Sequence, residues 1–107
     1  MPSLLKFASG VVVPKVCIIA AAAVNARNVL GYPGDTVVTS GNDKSHMKGS
    51  FHYQGRALDF RVHGLTTPQI QAWAASIRRR LGAEYQVLTE SLGTPNAHIH
   101  VEYDPQT

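Results

Sequence analysis

The feature that most constrains the fold is a pair of segments in which apolar and ionisable residues alternate. The segments are RALDFRV, at residues 56–62, and HIHVEY, at residues 98–103. Successive side chains of a β-strand point to opposite faces, so a repeat of two separates the apolar residues from the polar ones. Each segment is therefore predicted to form a half-buried strand with one apolar face and one open face of ionisable groups.

The open faces of these two strands carry residues that can bind a metal ion. The first strand contributes Asp59, and the second contributes His98, His100 and Glu102. Zinc is commonly held by three imidazole or carboxylate ligands, and His52, Asp59 and one of the two strand histidines make such a set. The alternative is that Asp59 caps a turn while the histidines are simply solvated. Because two distant segments would converge in one sheet, the metal site is favoured.

A first helix is expected before these strands. It is predicted for residues 14–29, with Pro14 at its first position and Gly31 marking its end. The only cysteine, Cys17, lies in this helix, so no disulfide can form within the chain, and a buried, inert thiol is expected. The continuous apolar stretch at residues 16–24 is far shorter than the ~20 residues that span a bilayer. Pro14 and Lys15 interrupt the longer run, which favours a helix of the folded domain over a secretory signal.

A second helix is predicted between two stretches of extended chain. Thr67 is expected as the N-cap, Pro68 as the first helical residue and Gly82 as the stop. Apolar residues recur at spacings of three and four and predict a buried stripe of Ile70, Trp73, Ala74, Ile77 and Leu81. Arginines at residues 78–80 end the helix, where the helix dipole favours cations. These arginines and the net charge of +3 are all that suggests nucleic acid, so no such partner is expected.

Two more strands complete the predicted fold. They are TVVTS, at residues 36–40, and EYQVLTE, at residues 84–90, the latter joined to HIHVEY by a loop. A chain of 107 residues, 44% of them hydrophobic, can bury one modest core, so residues 1–107 are expected to form a single domain. The predicted fold class is α+β, with a small antiparallel sheet flanked by helices.

Residues 50–59, taken with residues 98–100, resemble a known signature. The pattern S-x-H-x-x-G-x-A-x-D with a distant H-x-H resembles that of the Hedgehog/D-Ala-D-Ala peptidase fold. This group includes bacterial D,D-carboxypeptidases and dipeptidases, phage L-alanyl-D-glutamate endolysins and the zinc-bearing Hedgehog signalling domain. The matching residues are Ser50, His52, Gly55, Ala57, Asp59, His98 and His100. The likeness extends loosely over residues 39–102.

The resemblance implies a zinc site and names its ligands. His52, Asp59 and His100 would bind the ion. The hydroxyl of Ser50 would orient one of these ligands, and His46 would lie in a loop or in the cleft wall. A single zinc ion in a cleft on the open face of the sheet is therefore expected.

The resemblance also implies catalytic residues. His98 would contact the substrate or the developing oxyanion. Glu90 is expected as the general base, because E-S followed by A-H-I-H in the Hedgehog domain resembles residues 90–91 and 97–100 here. Glu102, which shares a strand face with His100, is the competing candidate. Many bacterial members carry an acid three residues before the last zinc histidine, where this chain has Ala97.

A second departure from the family concerns the substrate. Many members have an arginine after a Ser-Gly pair and use it to bind a substrate carboxylate, whereas residues 40–41 are followed here by Asn-Asp. Arg56 or Arg61 can replace it. The function implied is zinc-dependent hydrolysis of a peptide bond in peptidoglycan stem peptides, with endopeptidase action favoured over D,D-carboxypeptidase action. The protein would act on the bacterial cell wall, as a phage or a bacterial enzyme. A non-catalytic zinc-binding interaction module of the same fold is the alternative.

Overall fold

The computed structural model describes residues 14–40 and 56–105. Two helices and four strands lie within these ranges. In chain order they are α1 (Lys15–Leu30), β1 (Val38–Ser40), β2 (Ala57–Arg61), α2 (Thr67–Leu81), β3 (Tyr85–Glu90) and β4 (His98–Tyr103). The strands form an antiparallel sheet in the order β1-β2-β4-β3. The described part of the chain is therefore α+β, as predicted.

The register of the central strands decides which side chains become neighbours. β4 lies between β2 and β3, so each of its residues has a partner on both sides. On β2, Asp59 lies opposite His100 and Arg61 lies opposite His98. On β3, Glu90 lies opposite His98 from the other side. A transverse row of Arg61, His98 and Glu90 thus crosses the sheet, and the Asp59–His100 pair lies directly beside it.

The hydrophobic core lies between the apolar face of the sheet and the two helices. Phe60, Ile99 and Val101 of the sheet are fully buried, as the alternating pattern predicts. Trp73 of α2 packs against the Phe60 ring, with ring centroids 6.2 Å apart. Its Nε1 donates a hydrogen bond of 3.0 Å to the carbonyl oxygen of Ala23 in α1. The Trp73 side chain therefore connects both helices to the sheet, and its buried N–H group has a hydrogen-bond acceptor.

Helix α2 begins one residue earlier than predicted. The N-cap is Thr66 rather than Thr67: its Oγ1 accepts from the Gln69 backbone N–H at 3.3 Å, and its own N–H donates to Gln69 Oε1 at 2.8 Å. Only Thr66 has a glutamine three residues later, which is the spacing that a reciprocal capping box requires. The predicted apolar stripe is confirmed, with Leu81 partly buried at its end, and the helix ends at Gly82 as predicted.

Helix α1 ends where the sequence predicts, but the set of side chains that it buries was not fully predicted. Its end is confirmed, since Gly31 adopts the left-handed conformation with φ 72°. The buried face consists of Ile19, Ala22, Ala23, Ala26 and Arg27. The prediction of a buried Cys17 was wrong, because the thiol is exposed. Cys17 precedes Ile19 by two positions, about 200° around the helix, and therefore faces away from the sheet.

The buried arginine of α1 was not expected from the sequence. Arg27 is 4% exposed; its guanidinium lies 4.9 Å above the Trp73 ring and donates to the carbonyl oxygen of Pro33. The contact with the aromatic face helps a cation to remain in the core. Over the described residues, α1 and α2 are both too short or too polar to cross a bilayer.

Candidate metal centre

The open face of the sheet brings together most of the predicted site residues that the structure describes. β2 contributes Asp59, β4 contributes His98, His100 and Glu102, and β3 contributes Glu90. Alternation along each strand turns these side chains away from the core, and the register places them side by side. Glu90 is the most accessible, with 46% of its side chain exposed, whereas Asp59, His100 and Glu102 are close to 14%. The site therefore has a half-buried part and a more open part.

The half-buried part is a histidine held between two carboxylates. His100 Nδ1 lies 2.8 Å from Asp59 Oδ1, and His100 Nε2 lies 2.7 Å from Glu102 Oε1. Burial lowers the pKa of His100, but the hydrogen bonds and charges of Asp59 and Glu102 outweigh burial, so the pKa is raised above 6.5. Two carboxylates around one imidazole favour positive charge between them, supplied by a proton or by a metal ion.

The open part is the pair formed by His98 and Glu90. His98 Nδ1 donates to the carbonyl oxygen of Asn96 at 2.8 Å, which fixes the ring because a carbonyl oxygen can only accept. His98 Nε2 lies 2.9 Å from Glu90 Oε1 and 3.9 Å from Asp59 Oδ1. A histidine whose Nδ1–H is held by a backbone carbonyl presents Nε2 either to a metal ion or as a proton carrier. The sequence pattern did not predict the role of Asn96, because the contact uses its backbone.

Asp59, Glu90 and His98 form a possible metal-binding triad. Each offers one ligand atom, and these atoms all lie within 4.8 Å of one another. Two atoms bound to a tetrahedral zinc ion are about 3.3 Å apart, and the distances from His98 Nε2 to the two carboxylates, 2.9 and 3.9 Å, lie on either side of that value. The chemistry of this donor set, one imidazole nitrogen and two carboxylate oxygens, fits a metal ion.

The set of ligands predicted from the motif overlaps this triad at Asp59. Asp59 and His100 lie in contact, as that prediction requires. The third predicted ligand, His52, lies outside the described residues, as do His46 and Ser50. The described residues thus bring together two of the three predicted ligands, with the two predicted catalytic residues, Glu90 and His98, beside them.

The two arginines that the sequence left as alternatives have different surroundings. Arg56 donates through Nε and Nη2 to the carbonyl oxygen of Tyr103, at 3.1 and 2.7 Å, and lies 5.5 Å from the Tyr103 ring. Arg61 is exposed and lies on the open face, opposite His98. Arg56 therefore holds the end of β4, whereas Arg61 faces the site.

A cleft of about 820 Å³ begins at this cluster. Asp59, Arg61 and His98 form part of its wall. The rest of the described lining comes from Thr39 of β1, from the chain after β2 at residues 62–65, from the first turn of α2, and from the β3–β4 loop at residues 93–97. His63 is exposed and lies at this wall. A ligand in the cleft would therefore reach Asp59 and His98, two of the candidate metal-binding residues.

The site joins a donor set that fits a metal ion to a hydrogen-bonded histidine–carboxylate pair, and unrelated folds can share both features. No protein-family model, curated protein or solved structure matches the chain. The resemblance to the Hedgehog/D-Ala-D-Ala peptidase fold therefore rests on the motif residues themselves.

Proposed function

We propose that this protein is a zinc-dependent peptidase of the Hedgehog/D-Ala-D-Ala peptidase type that hydrolyses a peptide bond in peptidoglycan stem peptides. The observation that carries the proposal is the position of the Glu90–His98 pair beside the Asp59–His100 pair, at the head of a cleft. A metal-binding pair next to an accessible carboxylate is the arrangement that metal-assisted hydrolysis requires.

The residues that would hold zinc are Asp59, His100 and, by resemblance, His52. Imidazole donors favour zinc over calcium or magnesium, which prefer oxygen ligands. When bound, zinc lowers the pKa of a coordinated water toward ~7 and polarises a carbonyl group. Glu102 contacts His100 on the side away from Asp59 and would fix the ring orientation. Glu102 is thus assigned to positioning a ligand rather than to proton transfer.

Glu90 and His98 would carry the proton chemistry. The carboxylate of Glu90 takes a proton from the attacking water as the new C–O bond forms. It then gives that proton to the nitrogen of the leaving amine as the C–N bond breaks, so the proton count balances. His98, with its ring fixed by the Asn96 carbonyl, directs Nε2 toward Glu90 and Asp59, and when that nitrogen carries a proton it would donate a hydrogen bond to the developing oxyanion.

Digestion of purified peptidoglycan tests this function. Zinc-loaded protein is expected to release peptides and new amino termini, and mass spectrometry of the fragments identifies the bond that is cut. The chelated protein and a Glu90→Gln variant serve as inactive controls. If the zinc-loaded wild type releases no fragment and no amino terminus, the peptidase assignment fails and the non-catalytic zinc-binding module of the same fold takes its place.

A further inference from the structure

The contact between His98 and Glu90 needs a cation between its two atoms. The Nδ1–H of His98 donates to the carbonyl oxygen of Asn96 at 2.8 Å, so Nε2 of the neutral ring carries a lone pair and no proton. Nε2 nevertheless lies 2.9 Å from Oε1 of Glu90, and an ionised carboxylate can only accept. Two acceptors at this distance are held together by a shared proton or by a metal ion. The pair is therefore a place where positive charge binds.

Asp59 adds a third ligand atom at the same place. Its Oδ1 lies 3.9 Å from His98 Nε2, and the ligand atoms of Asp59, Glu90 and His98 all lie within 4.8 Å of one another. Asp59 also contacts His100 through Oδ1 at 2.8 Å. A carboxylate has about four lone-pair sites on its oxygens, so Asp59 can bind one ion on the side of His100 and another on the side of His98. Pairs of metal ions about 3.5 to 4 Å apart occur in hydrolytic enzymes.

The place between Glu90 and His98 is open to solvent. Nearly half of the Glu90 side chain and a quarter of the His98 side chain are exposed, and His98 and Asp59 line the cleft. An ion can therefore enter from solution without a change in the fold. An ion already bound at Asp59 and His100 repels a second doubly charged ion. At about 4 Å in water this repulsion corresponds to about a thousandfold in the binding constant, so the second ion is the weaker one.

We propose that Asp59, Glu90 and His98 bind a second, weaker zinc ion that inhibits the enzyme when zinc is in excess. A Glu90 carboxylate that coordinates an ion cannot accept the proton of the attacking water, and a coordinated His98 Nε2 cannot donate to an oxyanion. Zinc is expected rather than calcium or magnesium, because one ligand is an imidazole nitrogen. The second site rests on the geometry of the three side chains, whereas the inhibition rests on the proposed function.

The number of zinc ions per chain, measured by equilibrium dialysis against buffers of fixed free zinc, tests the site. Wild-type protein is expected to take up one ion first, and a second at a free zinc concentration about 10²-fold to 10⁴-fold higher. Glu90→Gln and His98→Gln are expected to keep the first ion, which also shows that they fold. Both should weaken the second ion by at least about 10-fold, since even the loss of a group that only supports a ligand costs this much.

Two matched controls separate this site from zinc bound elsewhere on the surface. Glu84→Gln removes an exposed carboxylate just before β3, and His63→Gln removes an exposed histidine of the same cleft wall. Neither residue belongs to the triad, so both variants are expected to bind two ions as the wild type does.

Three results of the dialysis overturn the proposal. The first is a wild-type protein that takes up a single ion throughout the titration. The second is a second ion that remains in Glu90→Gln and His98→Gln. The third is a second ion that is lost from either control variant.

Turnover of peptidoglycan at the same free zinc concentrations tests the inhibition and separates the two proposals. Turnover is expected to rise as the first ion binds and to fall as the second binds, with half-inhibition where the second site is half filled. His63→Gln and Glu84→Gln should show the same fall. Binding of two ions without release of any fragment keeps the second site and removes the peptidase function. Turnover that stays at its maximum while the second site fills keeps the peptidase function and removes the inhibition.

Discussion

Replacing Glu90 by glutamine separates the catalytic role of this carboxylate from its structural one. The amide is nearly isosteric and can still hydrogen-bond to His98 Nε2, from which Glu90 Oε1 lies at 2.9 Å. It cannot accept and return the proton of water. A positioned general base contributes about 10² to 10⁴ in rate, which corresponds to about 2.7 to 5.4 kcal/mol in the activation barrier. Turnover is expected to fall by that factor.

The same substitution is expected to change stability very little. Glu90 has 46% of its side chain exposed, and its partner His98 has 25%. Solvent screens a pair of this kind, so its contribution lies near the lower end of the range of about 0 to 1 kcal/mol. A large loss of rate with a nearly unchanged free energy of unfolding is therefore the signature of a catalytic carboxylate.

The assay measures new amino termini released from purified peptidoglycan, together with zinc content and urea unfolding of each variant. Glu84→Gln is the matched control, since Glu84 is an exposed carboxylate just before β3 and lies outside the cluster. It is expected to behave as wild type. Glu102→Gln is expected to reduce the rate less than Glu90→Gln, because Glu102 acts through the orientation of His100.

Three results would refute the reasoning about Glu90. Turnover near the wild-type level in Glu90→Gln, with a large loss in Glu102→Gln, reverses the two roles. An equal loss in Glu84→Gln attributes the effect to net charge. Loss of stoichiometric zinc from Glu90→Gln makes Glu90 a metal ligand, as the Asp59, Glu90 and His98 triad allows.

Further predictions concern the metal, the pH dependence of stability and the cap of α2. Purified protein should hold about one zinc ion per chain. Asp59→Ala and His100→Ala should each lose the zinc ion, whereas His98→Ala should keep the ion and lose activity. If metal analysis finds zinc in His100→Ala but not in His98→Ala, the triad of Asp59, Glu90 and His98 holds the metal instead. In metal-free protein the raised pKa of His100 contributes stability that is fully present below pH 6.5 and is lost as the pH rises through the folded-state pKa. Urea unfolding at a series of pH values should show this decline in the free energy of unfolding, and the decline should be smaller in His100→Gln. Thr66→Ala should lower the free energy of unfolding by about 1 kcal/mol, because the N-cap is lost. Thr67→Ala should change the free energy of unfolding by no more than about 0.5 kcal/mol. Equal effects of the two substitutions in urea denaturation would contradict the capping box.

Local patterns in the sequence were sufficient to predict the strands and most of both helices. The alternation in HIHVEY predicted a strand whose apolar residues face the core, and Ile99 and Val101 are fully buried in β4. The helical spacing of apolar residues predicted the buried face of α2. These features depend on neighbours within a few positions, so the chain encodes them directly. The N-cap of α2 was misplaced because two adjacent threonines offered the same side chain.

Tertiary structure decided how these elements meet. The alternation of side chains along a strand fixes the face on which Asp59 or His100 lies, but it does not fix the register between neighbouring strands. A shift of one strand relative to its neighbour would have changed which residues are paired. Only the assembled sheet places Asp59 against His100 and Glu90 against His98. The sequence by itself thus determined which residues lie on the open face. Their distances, the raised pKa of His100 and the open position of Arg61 depend on contacts between distant segments, because electrostatic and hydrogen-bonding interactions require proximity in space rather than in sequence.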